Sequence, residues 1–432
     1  MSTSRHTPVR TACLAGLILS TQAALGQTFT PLGFLPESEA VATAVSADGS
    51  VVAGYATGPG VLRAFRWTAS DGLVPLALPD GAFESSATGV SGDGRFIVGV
   101  VVSILPEIGY IHRPWRWDAE GGMLDLGNLP DPTTSGVNAI STDGTVVVGQ
   151  SLSSSGWNRA FRWTSATGIR ALGNLEGGHY SSAEAVSGDG AVVVGSADAP
   201  DRLTNRAFRW TSATGLVDLG VLPGELSSAA YGTNADGSIV VGRATVGENT
   251  PGGRQGRAMR WTAADGMTDL GTLSGYRDSV ALGVSGDGSI VVGSVGQNAD
   301  HPGDRTFDRA FIWSTAHGMI DLNAYLAAAG VNLRGYSLLW AHAISADGST
   351  VVGTALNPCR GHEPWRVVLN ATTPPCAADF NADGNADPDD LADYIGAYFA
   401  SPSDPRAEFD GVCGITPDDL ADFIAEFFTN CR

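Results

Sequence analysis

No lysine occurs anywhere in this chain; its 25 basic residues are all Arg. No apolar run beyond the first two dozen residues approaches eighteen, so nothing later in the chain reads as a membrane-spanning helix. Histidine is sparse and forms no pair at metal-ligand spacing, and no Gly-x-Ser-x-Gly elbow, phosphate-binding loop or dinucleotide fingerprint occurs. Acidic residues are abundant, but no two stand out as an acid/base couple. Most catalytic chemistries therefore lack a candidate constellation, and the chain reads as non-catalytic.

Arg5 and Arg10 precede the apolar run "ACLAGLILSTQAALG", whose small final residues suggest cleavage after Gly26. Residues 1–26 thus read as a secretory signal peptide, and the mature chain as exported. Without it, 23 Arg face 45 acidic residues, a net charge near −22. Such a surface repels nucleic acid and anionic lipid and suits cations. Four cysteines remain, Cys359, Cys376, Cys413 and Cys431, an even number in an oxidising compartment.

What dominates the sequence is repetition. A nine-residue phrase recurs seven times, from "SADGSVVAG" at Ser46 through "NADGSIVVG" at Asn234 to "SADGSTVVG" at Ser345. Its aspartates, Asp48 to Asp347, lie 45, 50, 46, 47, 51 and 60 residues apart. A second phrase, "RAFRWT" and variants, follows each copy, and a third, "GLVDLGVLPG", follows most of those. The Asp-Gly pair is a hairpin signal, because a tight turn needs positive φ there. "RAFRWT" alternates between two faces, and "GLVDLG" closes the unit.

Four strands in 45–50 residues make a propeller blade rather than a helical repeat. The seventh unit ends at "EPWRVVLN" without its third phrase, while an orphan copy, "FTPLGFLP", begins the mature chain. The expected fold over 27–371 is all-β, a seven-bladed propeller closed by an N-terminal strand, which removes exposed sheet edges. The phrases "RAFRW" and "DLGxLPG" around "DGSxVVG" resemble the HAF repeat family of extracellular proteins, with Arg where that family has His. The resemblance implies a secreted β repeat protein and carries no catalytic residues.

Two arginine positions recur nearly once per unit. Arg63, Arg113, Arg159, Arg206, Arg257 and Arg309 hold the first, with Glu363 in the seventh; Arg66, Arg116, Arg162, Arg209, Arg260 and Arg366 hold the second, with Ile312 in the sixth. A ligand reading makes them rings for anionic sugars. The scaffold reading, favoured because a binding site rarely needs seven copies, pairs them with Asp125, Asp218, Asp269 and Asp321 or stacks them on Trp. The tryptophans read as inter-blade core. Loops peculiar to one blade, 247–256, 296–308 and 322–340, are the better candidates for function.

At "TTPP" the composition changes. Residues 376–432 carry thirteen acids and two Arg. Two segments 29 residues apart, "PDDLADYIGAYF" and "PDDLADFIAEFF", each show one apolar helical stripe behind a proline start. Before the first stands a calcium loop: Asp379, Asn381 and Asp383 at positions 1, 3 and 5, Gly384 at the turn, Asn385 at 7, Asp387 at 9 and Asp390 at 12. This duplicated loop and helix resembles a dockerin domain, here a small α-helical module at 372–432. The resemblance implies two calcium loops and a cohesin-like or cell-surface protein partner. In the second loop Glu408, Asp410 and Asp419 match, while Val412 and Cys413 depart from the pattern. Cys376 and Cys431 bracket the module and are expected to pair, leaving Cys413 for Cys359, although four cysteines allow three connectivities. The expectation is a secreted propeller that binds or scaffolds, with extracellular polysaccharide among its possible partners. The alternative is a carbohydrate-active enzyme, a hydrolase or lyase, delivered by the same module.

Overall fold

Each repeat folds where its punctuation says it should. In blade 1 the strands are Glu39–Val45, Val52–Gly58, Val61–Thr68 and Gly72–Pro75. The computed structural model describes residues 26–371 except 34, 36–37, 59–60, 106–108, 130–133, 154, 200–203, 246–255, 299–307 and 360, together with residue 395. These residues build seven four-stranded antiparallel sheets. Six are consecutive in sequence. The seventh takes its outer strand, Gly26–Pro31, from the start of the chain, where Thr28 pairs with Val368 and Thr30 with Arg366. The orphan N-terminal phrase therefore completes the last blade, and no sheet is left one strand short.

The Asp-Gly turn accounts for its own composition. Ser46 Oγ donates to Asp48 Oδ1 (2.7 Å), Ser50 N donates to the same oxygen (3.0 Å), and Val51 N donates to Ser46 Oγ (3.0 Å). One carboxylate oxygen is thus engaged within the hairpin, as in an Asx turn, which gives the aspartate a structural reason to recur. The glycine is required twice. Its φ is between 69° and 75° in all seven turns, and in most of them an added Cβ would strike the preceding blade. On Gly94 that Cβ would lie 2.5 Å from Val51 Cγ2.

Among the described residues no single central core exists. The buried apolar residues form seven clusters, each shared by two neighbouring blades. Ala53 and Ala64 of blade 1 pack with Ile97 and Trp115 of blade 2, and Val352 of blade 7 packs with Phe65 and Trp67 of blade 1. Phe65, Phe161, Phe208 and Phe311 occupy the same place in their repeats and are fully buried, each contributing about 2–3 kcal/mol. The tryptophans of "RAFRW" join these inter-blade layers, as expected. The segment after Asp321, read from sequence as a candidate functional loop, is instead structural over its first turns. The helix Leu322–Ala328, capped by Asp321, seats Leu322 and Leu326 between blades 6 and 7.

The recurring arginines clamp blade to blade. Arg162 Nε donates to Gly190 O (3.3 Å), Arg209 Nε to Gly237 O (2.9 Å) and Arg366 Nε to Gly49 O (3.0 Å), each reaching the turn of the next blade. Arg116 lies over Phe96 and Trp163, and Arg366 over Trp67. From the other series, Arg113 pairs with Asp125 (3.5 Å) and Arg206 with Asp218 (3.8 Å). Glu363, which replaces Arg in blade 7, is buried and accepts from Tyr336 Oη (2.8 Å). These contacts are those of the scaffold reading, whereas Asp321, expected as an arginine partner, caps the helix instead.

Candidate functional site at the open end of the channel

The first strand of each blade faces the first strands of both neighbours, so these seven strands wall the channel. In blade order they are Glu39–Val45, Ala82–Val90, Ser135–Ile140, Ser181–Val186, Ser227–Thr233, Tyr276–Val284 and Ser337–Ile344. At their C-terminal ends a ring of backbone hydrogen bonds runs round the axis. Ala47 N donates to Gly92 O, Gly92 N to Thr142 O, Asp143 N to Gly188 O, Gly188 N to Ala235 O, Ala235 N to Gly286 O, Gly286 N to Ala346 O and Asp347 N back to Ala47 O. The approach demands small residues: a Cβ on Gly286 would stand 2.7 Å from Ala346 O. This end narrows to a cavity of about 140 Å³ lined by Ala47, Gly92, Thr142, Gly188, Ala235, Gly286 and Ala346 of the ring, by Asn234, and by Thr233 and the Val and Ile residues before the other turns.

Two residues further from the turn the repetition fails. Thr43, Thr88, Asn138, Glu184, Tyr231, Leu282 and His342 stand at the same place in their blades, and almost every blade has a different side chain there. Each is the residue skipped by a register shift in its inner strand. A bulge leaves its extra residue out of the ladder and re-aims its side chain. The bulge also explains the last glycine of "DGSxVVG". A Cβ on Gly54, Gly99 or Gly353 would collide with the backbone oxygen of the inner strand opposite.

The tier divides into two halves. Thr43 Oγ1 donates to Ala87 O (3.0 Å), Thr88 Oγ1 to Val137 O (3.0 Å) and Asn138 Nδ2 to Ala183 O (2.8 Å), so blades 1 to 3 use it as a handhold on the next blade. From blade 4 onward the groups change character. Glu184 accepts from Ser182 Oγ (2.6 Å) and Asn138 Nδ2 (3.1 Å), and burial raises its carboxyl pKa. Burial likewise raises the Tyr231 phenol. His342, hemmed in by its own strand and by Thr354 Oγ1 at 3.2 Å, is pushed by burial down to about 4 and is neutral near pH 7. Glu184, Tyr231 and His342 thus offer a hydrogen-bonding wall, with Leu282 as its apolar member.

Above this tier the mouth is charge-compensated. Arg243 Nη2 holds Asp278 Oδ1 at 2.7 Å, and His362 Nδ1 lies 3.3 Å from Glu39 Oε2 across the seam between blades 7 and 1. Trp340 donates through Nε1 to Asp308 Oδ2 (3.1 Å), and its ring stacks near-parallel on His362 with centroids 6.1 Å apart. Among the described residues no group of three or more His, Cys, Asp or Glu is placed to hold a metal, and no helix is long and apolar enough to cross a membrane.

Of the loops singled out from sequence, 247–256 lies outside the described residues except for Gly256, and 296–308 except for 296–298 and Asp308, and the third contributes Trp340 at its end. The calcium residues Asp379, Asn381, Asp383, Asn385, Asp387 and Asp390, with Glu408, Asp410 and Asp419, also lie outside them, as do Cys376, Cys413 and Cys431. Cys359 is disulfide-bonded, and no other cysteine is among the described residues. The divergent tier escaped the sequence reading. Its signal was present, as a place just before a sevenfold phrase where the residues differ from blade to blade.

The fold is that of a seven-bladed β-propeller. No protein-family profile and no curated protein sequence matches the chain. Solved structures do. The oligogalacturonate lyase of Vibrio parahaemolyticus superposes with a TM-score of 0.50 at 13% identity, over 79% of this chain and 93% of that one. An oligogalacturonate lyase in complex with manganese gives 0.51 at 13%, over 80% and 94%. TolB from Acinetobacter baumannii gives 0.39 at 15%, over 66% of this chain and 62% of TolB, so less than two thirds of that protein is spanned. At such identities the likeness is one of fold alone.

Proposed function

We propose that this chain is a secreted, non-catalytic propeller of the HAF-repeat kind that binds an extracellular ligand at the open end of its channel. A calcium-dependent, dockerin-like module at 372–432 tethers it to a cohesin-like or cell-surface protein. One observation carries the binding role. The channel narrows at the ring of backbone hydrogen bonds to a cavity of about 140 Å³, and two residues further along its wall stand Glu184, Tyr231, Leu282 and His342, four different side chains from four successive blades. A purely structural ring has no use for that variety. The "DFNADGNADPDD" loop supports the tether, and the N-terminal signal supports export.

The rival reading is a polysaccharide hydrolase or lyase, favoured by the fold shared with oligogalacturonate lyases and by a half-buried carboxyl, Glu184, whose pKa burial raises. A screen of polysaccharides for binding and for new reducing ends separates the two. Retention without turnover supports the binding module. Turnover that disappears in Glu184→Gln establishes the enzyme and ends the non-catalytic reading.

A further inference from the structure

One arginine of the first recurring series has lost its partner. Arg113 is engaged by Asp125, Arg206 by Asp218, Arg63 by the Leu62 and Phe83 carbonyls and Arg309 by the Asp308 carbonyl. Arg257 has the Glu225 carboxylate within range of its charge. The guanidinium of Arg159, in blade 3, meets no acceptor or carboxylate among the described residues. The cause lies on the outer strand. Ala171 pairs with Phe161 at the register position that carries Asp125, Asp218, Asp269 and Asp321 in four other blades.

The surroundings of Arg159 change with it. In blade 4, Arg206 Nη1 donates to Thr204 Oγ1 (3.1 Å) and to Leu226 O (2.6 Å), so the residue two before the arginine and the link into the next blade both touch the guanidinium. In blade 3 those two places hold Trp157 and His179. The equivalence is fixed by matching hydrogen bonds, Ala160 N to Ser181 Oγ and Ala207 N to Ser228 Oγ. Trp157 is 49% exposed, and its ring lies 6.1 Å from that of His179. Both rings are anchored through their backbones. Ser153 N and Oγ donate to Trp157 O (2.9 and 2.7 Å), and His179 N donates to both oxygens of Asp198 (2.8 and 3.0 Å). Alternation along the strand puts Trp157 and Arg159 on one face, about 6.6 Å apart.

An indole, an imidazole and an uncompensated cation therefore meet at the seam of blades 3 and 4. The nearby acids do not supply the missing charge. Glu176 is exposed and forms no ion pair, and Asp198 is occupied by the backbone N–H groups of His179 and Tyr180. The vacancy left by Ala171 suits an anion from outside, held by the guanidinium fork. A uronic acid carries its carboxylate on the same ring whose C–H face stacks on an indole, so one rigid residue meets Trp157 and Arg159 together. A peptide would need an apolar and an acidic side chain, each ordered separately. A mature net charge near −22 repels a densely charged polyanion. We infer that this seam binds glycans bearing isolated uronic acid residues, with Arg159 taking the carboxylate and Trp157 the sugar face. Its residues belong to the third strand of blade 3 and the link into blade 4, not to the inner-strand tier, so this binding does not depend on the channel.

The test uses the full-length protein in calorimetry and affinity electrophoresis. The probes are glucuronoxylan and acidic arabinogalactan, the same polymers after carboxyl reduction, polygalacturonate, and a peptide of alternating Trp and Asp. At least one uronate-bearing polymer should be retained, with about tenfold weaker binding after carboxyl reduction. Ala171→Asp restores the partner that Arg206 has in blade 4 and should erase that preference without lowering the melting temperature. Arg159→Gln should erase it too. Trp157→Ala should weaken native and reduced polymers alike, by about tenfold. Tyr231→Phe should change nothing here. A wild type that binds no uronate-bearing polymer, or binds native and reduced forms equally, overturns the inference. So does a preference for polygalacturonate or for the peptide, or an Ala171→Asp variant whose preference is intact. Binding lost in Tyr231→Phe but kept in Arg159→Gln would move the glycan to the channel and overturn the seam site alone.

Discussion

Replacing Gly94 by Ala tests whether the turns hold the blades together or merely reverse the chain. Two costs are separable. The first is backbone: φ is 69° at Gly94, and an L side chain there costs about 1–2 kcal/mol, offset by about 0.4–1 kcal/mol through the stiffer unfolded chain. The second is packing. The new Cβ would lie 2.5 Å from Val51 Cγ2 and 3.1 Å from Val51 Cβ, so no rotation of that β-branched side chain relieves both contacts. Overpacking of this kind adds about 1–3 kcal/mol. Gly348 is the internal control. Its φ is 75°, but its nearest neighbours across the interface stand at 3.5 Å, so Gly348→Ala carries the backbone cost alone. For a domain of this size 1 kcal/mol moves Tm by about 1–2 °C. Calorimetry should therefore place Gly94→Ala about 2–5 °C below Gly348→Ala. In a Val51→Ala background most of that difference should vanish. Equal melting of the two glycine variants, or a Gly94 penalty untouched by Val51→Ala, would refute the inter-blade role of the turn.

Removing residues 26–31 should open the ring, exposing the edge of His362–Ala371 and the face covered by Phe29, which packs on Tyr336 at 5.3 Å; melting and light scattering should show a strong loss of stability and strand-exchanged oligomers. Native His342 refuses a proton down to about pH 4, whereas the unfolded chain takes one near 6.5. Its share of stability is complete above 6.5 and falls by at most about 3 kcal/mol as pH drops to 4, so His342→Gln should flatten that part of a denaturation series. The turn carboxylates act lower. The Ser91 hydroxyl holds Asp93, and the Ser285 hydroxyl holds Asp287, below the ordinary carboxylate range; stability from them is present above that range and is lost beneath it. Arg366→Lys should cost about 1 kcal/mol by chemical denaturation, since Lys cannot both reach Gly49 O and lie over Trp67. For the C-terminal segment, calcium should raise helicity in circular dichroism, and Asp379→Ala with Asp390→Ala should abolish the response.

The blades were legible because each signal is local. Asp48-Gly49 forms its turn from contacts within five residues, and "RAFRWT" declares its two faces by alternation. Closure was legible by bookkeeping, since "FTPLG" matched the phrase missing after "EPWRVV". Legibility ended where a contact depends on the neighbouring blade. Nothing in the spacing of Arg366 says that it reaches Gly49, nor that Gly94 abuts Val51. The helix Leu322–Ala328 was hidden because its seven residues are too few to show a period. The bulges were hidden for a related reason. One extra residue in a strand shifts the alternation that sequence reading assumes to be unbroken.

That hidden feature is also what makes the open end usable. A side chain in the ladder of an inner strand is fixed twice, by its hydrogen-bonded partners and by the blade behind it. Ala42, Ala87 and Ala183, one place from the bulge, are fully buried and small in consequence. The bulge residue escapes both constraints. Its cost is borne elsewhere, by the glycine opposite, which yields its side chain to the inner-strand carbonyl in every blade. Seven glycines thus release seven positions, and blades 1 to 3 return theirs to the scaffold as hydrogen bonds to the next blade. Glu184, Tyr231, Leu282 and His342 are left on the channel wall as four different side chains, and a ring of repeats gains a single asymmetric face there.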